Sequence, residues 1–393
     1  MPDQMGWYLC TLLIFYGVQV QGQFVNNVTV FIPYEYTYLL PSGFLGNLDS
    51  TFVNSTTTSN DSINSLLYSA SQSPFIAYDR EFLDILGPNP TAQLIEQRSS
   101  DDDFAYEAGI WVPERHEVWF TPSPQQATRI PSTIYAFNLD TQSVSPLEPS
   151  EPAIDVTGGT YFEGKVYFST YRNQQNYRGG IISIDANTLH VESVLNSHFG
   201  LRFNGIDDIA WAVRGNNQYM FFTDFDYTRY IYSNLTPAQM PSNVWRWDAP
   251  DQSMLYVTDT DAVSDTTSPL SVGTAAASWL GPYIYAWDLD KNMFPVNKRL
   301  FGMVRFGIAD GLHVDDAGRV WTAEGEGVVV RNPQGKVLGM FNGQYFQADK
   351  RGDAVPIANF ALAGDTLVIL STTRLWTVKL GQAVVSSTSA VVN

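Results

Sequence analysis

One short pattern returns six times along this chain, and it leaves few folds open. A strand of aromatic or β-branched residues ends in a small, mostly polar residue. It reads Val118-Trp119-Phe120-Thr121, Val166-Tyr167-Phe168-Ser169, Met220-Phe221-Phe222-Thr223, Leu255-Tyr256-Val257-Thr258, Val320-Trp321-Thr322-Ala323 and Leu367-Val368-Ile369-Leu370. The mean spacing is about 50 residues, the range of propeller blades. A second strand follows each copy, as in Tyr135-Ala136-Phe137, Ile181-Ile182-Ser183 and Val328-Val329-Val330, and in the first four units an Asp soon closes it (Asp140, Asp185, Asp248, Asp288). A third strand and a tight turn precede five copies, the turns running through Pro113-Glu114-Arg115, Glu163-Gly164-Lys165, Gly215-Asn216-Asn217, Asp315 to Gly318 and Gly364-Asp365. Gly, Asn and Asp supply the positive φ angles that such hairpins require. Strand, tight turn, strand, loop, strand is a propeller blade, so the expectation is an all-β, six-bladed β-propeller.

The composition agrees. Of 393 residues, 44% are hydrophobic and only 16% charged, enough for a large core and too few charges for a disordered chain. The formal net charge of -18 repels nucleic acid and anionic membranes, so neither is an expected partner. The apolar run from Gly6 to Val18 is too short to span a bilayer. Followed by Val20-Gln21-Gly22, it reads as a secretory signal, with Gln23 the first mature residue. Cys10, the single cysteine, lies inside it, so the mature chain has neither a disulfide nor a thiol nucleophile. Asn27, Asn54, Asn60 and Asn234 each open a glycosylation triplet, which fits a secreted, extracellular glycoprotein.

The domain reading is a signal at 1–22, an N-terminal extension at 23–103, the propeller at 104–381 and a tail at 382–393. In the extension, Ser50 to Ser73 reads as a glycosylated loop, and Phe24 to Tyr36 as a candidate strand closing the last blade. Asp259 to Ala277 reads as a lid or variable loop. Arg351-Gly352-Asp353 spells an adhesion tripeptide but reads as a chance surface turn.

The innermost strand of each blade lines the central channel, so the residues just before it converge. Those positions hold Glu107, Gly158-Gly159, Asn204 to Asp208, Asp310 and Asn359. Carboxylates aimed together are costly to bury unless a cation compensates them. Oxygen-only donors favour a hard cation, Ca²⁺ first, with Mg²⁺ or Mn²⁺ behind it. Taken singly, each residue reads equally well as an Asx turn or a solvated channel wall.

Several of these stretches resemble the gluconolactonase, regucalcin and luciferin-regenerating enzyme family, with the flavour of its secreted fungal lactonohydrolases. They are Phe104-Ala105-Tyr106-Glu107-Ala108-Gly109, Phe203-Asn204-Gly205-Ile206-Asp207-Asp208, Phe222-Thr223-Asp224, Ala309-Asp310-Gly311-Leu312-His313-Val314-Asp315 and the segment from Tyr78 to Pro90. The resemblance implies a metal-dependent hydrolase that opens a sugar-type or related lactone, with one divalent ion, usually Ca²⁺, on the axis. The family's ligand Glu falls on Glu107. Its ligand Asp, also credited as the base, falls on Asp310. The substrate-contacting Asn-Asp pair falls on Asp207-Asp208, so an Asp stands where the family has Asn. A His common before the Glu is Tyr106 here.

The fourth unit departs most. The family's Pro-Asn-Gly motif, whose Asn is a metal ligand, has no counterpart where Trp247 to Met254 runs straight into Leu255-Tyr256-Val257, so the inner strand of the fourth blade is missing. Three accounts stay open: an exon lost from the sequence, replacement of the missing oxygen by Asn204 or Asp207, or a broken site. The expected roles are Asp310 as catalytic base, Glu107, Asp310 and Asn204 as metal ligands, and Asp207, Asp208 and His313 at the substrate. His313 either touches substrate or only packs.

Other chemistries find little footing. Four His, no Gly-x-Ser-x-Gly elbow and no His-Glu-x-x-His motif are present. His116 reads as a surface turn residue, and Glu324 and Glu326 as a solvated turn. A catalytically impaired propeller that binds a small molecule or carbohydrate is the alternative, because propellers host unrelated functions.

Overall fold

The computed structural model describes residues 23–48, 50–124, 132–171, 179–225, 239–247, 254–259, 283–346 and 357–385. The signal-like run, Asn234, the Asp248 to Asp251 stretch, nearly all of the excursion after Asp259, the adhesion tripeptide and the end of the tail lie outside the described residues.

Among the described residues the strands form six sheets. The first runs Glu107–Val112, Glu117–Thr121, Tyr135–Asn138 and Ser143–Pro146. The second runs Val156–Phe162, Lys165–Thr170, Gly180–Asp185 and Val191–Leu195. The third holds Ile206–Arg214, Asn217–Asp224 and Asn243–Trp247, and the fourth holds Met254–Asp259, Tyr283–Leu289 and Pro295–Met303. The fifth is built from Leu312–Val314, Val320–Glu324, Gly327–Arg331 and Val337–Asn342, and the sixth from Asn359–Ala363, Thr366–Ser371 and Arg374–Lys379. Within these six groups every strand pair is antiparallel, as short hairpin connections require.

The N-terminal extension completes two sheets. Thr91–Gln97 pairs with Arg374–Lys379 as the fourth strand of the sixth sheet. Gln23–Asn26, Thr29–Phe31 and Phe75–Ala77 add to the outer edge of the fifth. The closing role expected of Phe24 to Tyr36 therefore passes to Thr91–Gln97. The reason lies in burial: Val30 and Ile32 are needed in a core with Ile63, Leu67, Val329 and Met340, which fixes their strand against the fifth sheet.

The Ser50 to Ser73 stretch, expected as a loop, contains the helix Asp61–Gln72. Its cap explains the difference. The Asn60 side chain accepts the backbone N–H groups of Ser62 and Ile63, satisfying donors that the first turn leaves open. Ile63, Leu67 and Ala70 then share one helix face and are buried. A second helix, Arg80–Leu86, is capped by Asp79 and buries Phe82, Ile85 and Leu86 against the fifth sheet.

Apolar clusters join each sheet to the next. Trp321, Phe341, Phe360 and Ile369 join fifth to sixth. Phe120, Phe137, Val368 and Leu370 join sixth to first. Trp119, Ile110, Phe168 and Ile184 join first to second, and Ile181 meets Phe203 and Phe222 between second and third. Smaller clusters hold the fourth sheet: Ala212 and Phe221 with Leu289 and Met293, then Ile284 with Val304 and Ala309. A large side chain as fully buried as Trp119 or Trp321 contributes about 1.5–3 kcal/mol or more relative to exposure. The first strands of five sheets lie side by side, in the order third, second, first, sixth, fifth.

Candidate active site

The acidic residues expected at the centre are carried by these first strands, and local backbone irregularities aim them. Glu107 opens its strand and is followed by Ala108 at φ 69° and Gly109 at φ 79°, where the pairing with Glu117–Thr121 shifts register. Such a bulge turns the strand's end away from the regular ladder. A Cβ on Gly109 would stand 2.3 Å from the Phe360 carbonyl oxygen, so only glycine fits. Asp207 and Asp208 lie in a second bulge, between the paired residues Ile206 and Ile209. Gly158, on the neighbouring strand, leaves the space that Asp208 uses: a Cβ there would meet Asp208 Oδ1 at 2.3 Å. Asp310 sits just before its strand, its N–H donating to Ala323 O, and Gly311 lies where a Cβ would press on Asn359.

The small polar residue that ends each second strand has a use. The Thr121 hydroxyl donates to Thr157 O, the Ser169 hydroxyl to Gly158 O and Asp207 O, and Thr223 Oγ1 accepts from Asp208 N. Two of these bonds cross from one sheet to the next and pin the start of the neighbouring first strand.

Four carboxylates result that feel one another. Burial, then the charges of Asp310, Asp207 and Asp208, hold Glu107 well above the usual carboxylate range. Burial, then Asp207 and Asp208, do the same for Asp310. Asp208 is pushed up to about 7 by burial and by Asp207. Asp207 is raised by burial, against a lowering from a hydrogen bond that the Tyr171 hydroxyl donates. Asp208 is exposed and Glu107, Asp207 and Asp310 are half-buried, so all four keep water-accessible surface. The sites of Glu107, Asp207, Asp208 and Asp310 on first, third and fifth sheets were readable in the sequence. Tyr171 and Ser169 were missed as site residues. The strand-ending position of Ser169 carried a signal, whereas Tyr171, just past the strand, carried none.

His313 is hydrogen-bonded to the Phe360 backbone and the Asn359 side chain, and its ring meets Phe360 edge-on at 4.9 Å. Burial drops its pKa to about 4, so the ring is neutral at ordinary pH. Asn204 is 1% exposed and belongs to a different constellation: its side-chain Nδ2 donates to Asp224 Oδ2 and Met240 O. Asp224 in turn accepts the Asn204 and Gly205 N–H groups and shapes the turn leading to Asp207. His116 occupies a left-handed turn position on the surface beside Asp140. Glu324 and Glu326 are not a solvated turn. Glu324 is 1% exposed and paired with Arg331, and Glu326 receives Phe52 N–H and faces Arg305. An ion pair within reach of each carboxylate makes that burial tolerable.

No family model matches the chain. Among curated proteins it is 26% identical to lactonohydrolase oryL of Aspergillus oryzae over 285 residues, covering 65% of this chain and 64% of oryL. It is 22% identical to lactonohydrolase oryH of the same organism over 394 residues, 78% of this chain and 82% of oryH. The chain is thus similar to these lactonohydrolases over 65% and 78% of its length. The match to oryL spans just under two thirds of that relative's length. Solved structures share its fold. A protein assigned as a gluconolactonase superposes with a TM-score of 0.58 at 20% identity, over 79% of this chain and 99% of the other. A gluconolactonase from Xanthomonas campestris gives 0.55 at 16% identity, over 78% and 95%.

In donor type, the four carboxylates suit a hard cation: all are oxygen donors, and the repulsion that raises them is what a cation would relieve. Among the described residues, no three His, Cys, Asp or Glu side chains already form a cage for a metal ion.

Proposed function

We propose that this chain is a secreted, divalent-metal-dependent hydrolase of a sugar-type or related lactone, and that its six sheets are the blades of one closed propeller. The observation that carries the reading is that Glu107, Asp207, Asp208 and Asp310, brought by three different sheets, lie near enough to raise one another's pKa while keeping water-accessible surface. The lactonohydrolase names of two relatives supply the substrate class. The apolar clusters between consecutive sheets, including fourth to fifth and sixth to first, support ring closure. The apolar run before Gln23 and the glycosylation triplets support secretion.

Glu107 and Asp310 would hold the ion, with Ca²⁺ the first choice. Asn204 could contribute only its side-chain carbonyl oxygen, since its nitrogen is engaged. When bound, the cation supplies polarisation of the lactone carbonyl and charge for the developing oxyanion. Asp310, made more basic by burial and by the charges of Asp207 and Asp208, accepts a proton from water as the water oxygen bonds to the carbonyl carbon. The ring C–O bond then breaks, and the proton passes to the leaving alkoxide, giving the hydroxy acid. Asp207 and Asp208 accept hydrogen bonds from substrate hydroxyls. Neutral His313, fixed by Asn359, is placed to hydrogen-bond rather than to carry charge.

A second reading, a catalytically impaired propeller that binds a small molecule or carbohydrate, is favoured by two observations. No metal cage is preformed among the described residues, and only residues 248–253 separate the third sheet from the fourth. In sequence, that span lacks the Pro-Asn-Gly motif from which the resemblance would draw a metal-ligand Asn. The test is hydrolysis of a panel of sugar and aromatic lactones, with chelator and after Ca²⁺ readdition. Turnover that stops with chelator and returns with Ca²⁺ is the expected result. Well-folded protein that turns over no lactone would sink the enzyme reading and leave the binding one.

A further inference from the structure

Asp207 and Asp208 are neighbours in the chain with unequal surroundings. Asp208 is exposed, and its Oδ1 occupies the gap over Gly158. Asp207 is held at two points by the second sheet. The Ser169 hydroxyl donates to its backbone carbonyl, and the Tyr171 hydroxyl donates to its Oδ1. Ser169 is itself fully buried and anchored by Thr157 and Gly158, while Tyr171 is 1% exposed. The tyrosine is thus a buried side chain whose polar tip reaches across a sheet boundary to one oxygen of a site carboxylate.

We infer that Tyr171 is the positioning residue for the Asp207 carboxylate, fixing the direction from which Asp207 meets substrate and leaving Asp208 as the carboxylate free to move. The kinetic part of this inference rests on the lactone-hydrolase reading. The mechanism is geometric. A half-buried carboxylate with one oxygen tied to a rigid phenol presents its other oxygen along one line. Without the phenol, it rotates among staggered side-chain conformers and towards water. Hydrogen bonds to a charged group are stronger than neutral ones, so the tie holds its geometry.

Tyr171→Phe removes the hydroxyl and little else. On the lactone most rapidly hydrolysed, KM should rise about tenfold, the scale of one charged hydrogen bond, with a smaller change in kcat. The test is a double-mutant cycle with Asp207→Asn, which places at this position the amide that the family resemblance leads one to expect. Y171F should weaken the wild type but add less in the D207N background. An equal loss in both backgrounds overturns the inference, because Tyr171 would then act without Asp207. Crystal structures of wild type and Y171F provide a readout independent of turnover. The Asp207 carboxylate should rotate in the variant, and an unmoved carboxylate overturns the inference as well. Should the wild type hydrolyse no lactone, the enzymatic reading falls and the crystallographic comparison still decides the role of Tyr171. If Y171F folds poorly, the D207N structure examines the same contact from the other side: the tyrosine hydroxyl should still donate to the introduced amide oxygen, and its withdrawal overturns the tie.

Discussion

At the scale of single residues, the site is a place where charge has been concentrated against its own repulsion. Burial and the charge of Asp207 push Asp208 up to about 7 from an ordinary value of 3.8, and Glu107, Asp207 and Asp310 are raised as well. The folded chain thus binds protons more tightly than the unfolded one. For the cation-free protein, this contribution to stability is fully present below the ordinary carboxylate range and is lost as pH rises through about 7. Thermal melting of chelator-treated protein should therefore show a lower Tm at pH 8 than at pH 5, with Ca²⁺ reversing much of the loss at pH 8. A Tm that rises with pH in chelator would contradict the cluster. A contrasting acid is Glu324, buried against Arg331 and Thr322 and outside the repelling group. Glu324→Ala leaves Arg331 buried without its carboxylate and should cost about 3–5 kcal/mol in denaturant unfolding. The chelator response of that variant should stay unchanged. The positions of these acids were legible because each stands at or near the start of a recurring strand. The burial of Glu324 was not, since a Gly-flanked acidic pair reads locally as a turn.

At the scale of elements, the sheets are not equally anchored. The fourth meets its neighbours through small clusters, Ala212, Phe221, Leu289 and Met293 on one side and Ile284, Val304 and Ala309 on the other. The cluster between fifth and sixth includes Trp321, Phe341, Phe360 and Phe346. Local opening follows buried apolar contact, so amides of Tyr283–Leu289 should exchange with deuterium faster than those of Val320–Glu324 and Thr366–Ser371. Equal protection across the three would show that the fourth sheet is held by more than these clusters. The hairpins themselves were readable, because β-branched and aromatic runs separated by Gly, Asn and Asp turns have few other uses. The helix Asp61–Gln72 was not. Its Ser- and Asn-rich composition resembles a loop, and only the Asn60 cap and the spacing of Ile63, Leu67 and Ala70 make it a helix.

At the scale of the whole molecule, the extension before the repeats is part of the structural unit. Thr91–Gln97 is the outer strand of the sixth sheet, and Arg305 grips the 47–55 segment through Asn47 O, Ser50 O and the Ser55 hydroxyl. A chain beginning at Asp102 should lose cooperative unfolding and expose apolar surface, seen as dye binding and a lowered Tm, because the sixth sheet would end in the bare edge of Arg374–Lys379. Retention of the parent Tm would mean that the extension only decorates the repeats. The sequence alone determined the strand repeats, their turns and the acidic positions ahead of the first strands, since these depend on local periodicity and backbone preference. Tertiary structure decided which extension strand joins which sheet, that Asn204 serves Asp224, that Tyr171 reaches Asp207, and that Gly158 makes room for Asp208. Those outcomes depend on contacts between residues far apart in the chain, where the space left by one side chain is set by another that no local pattern predicts.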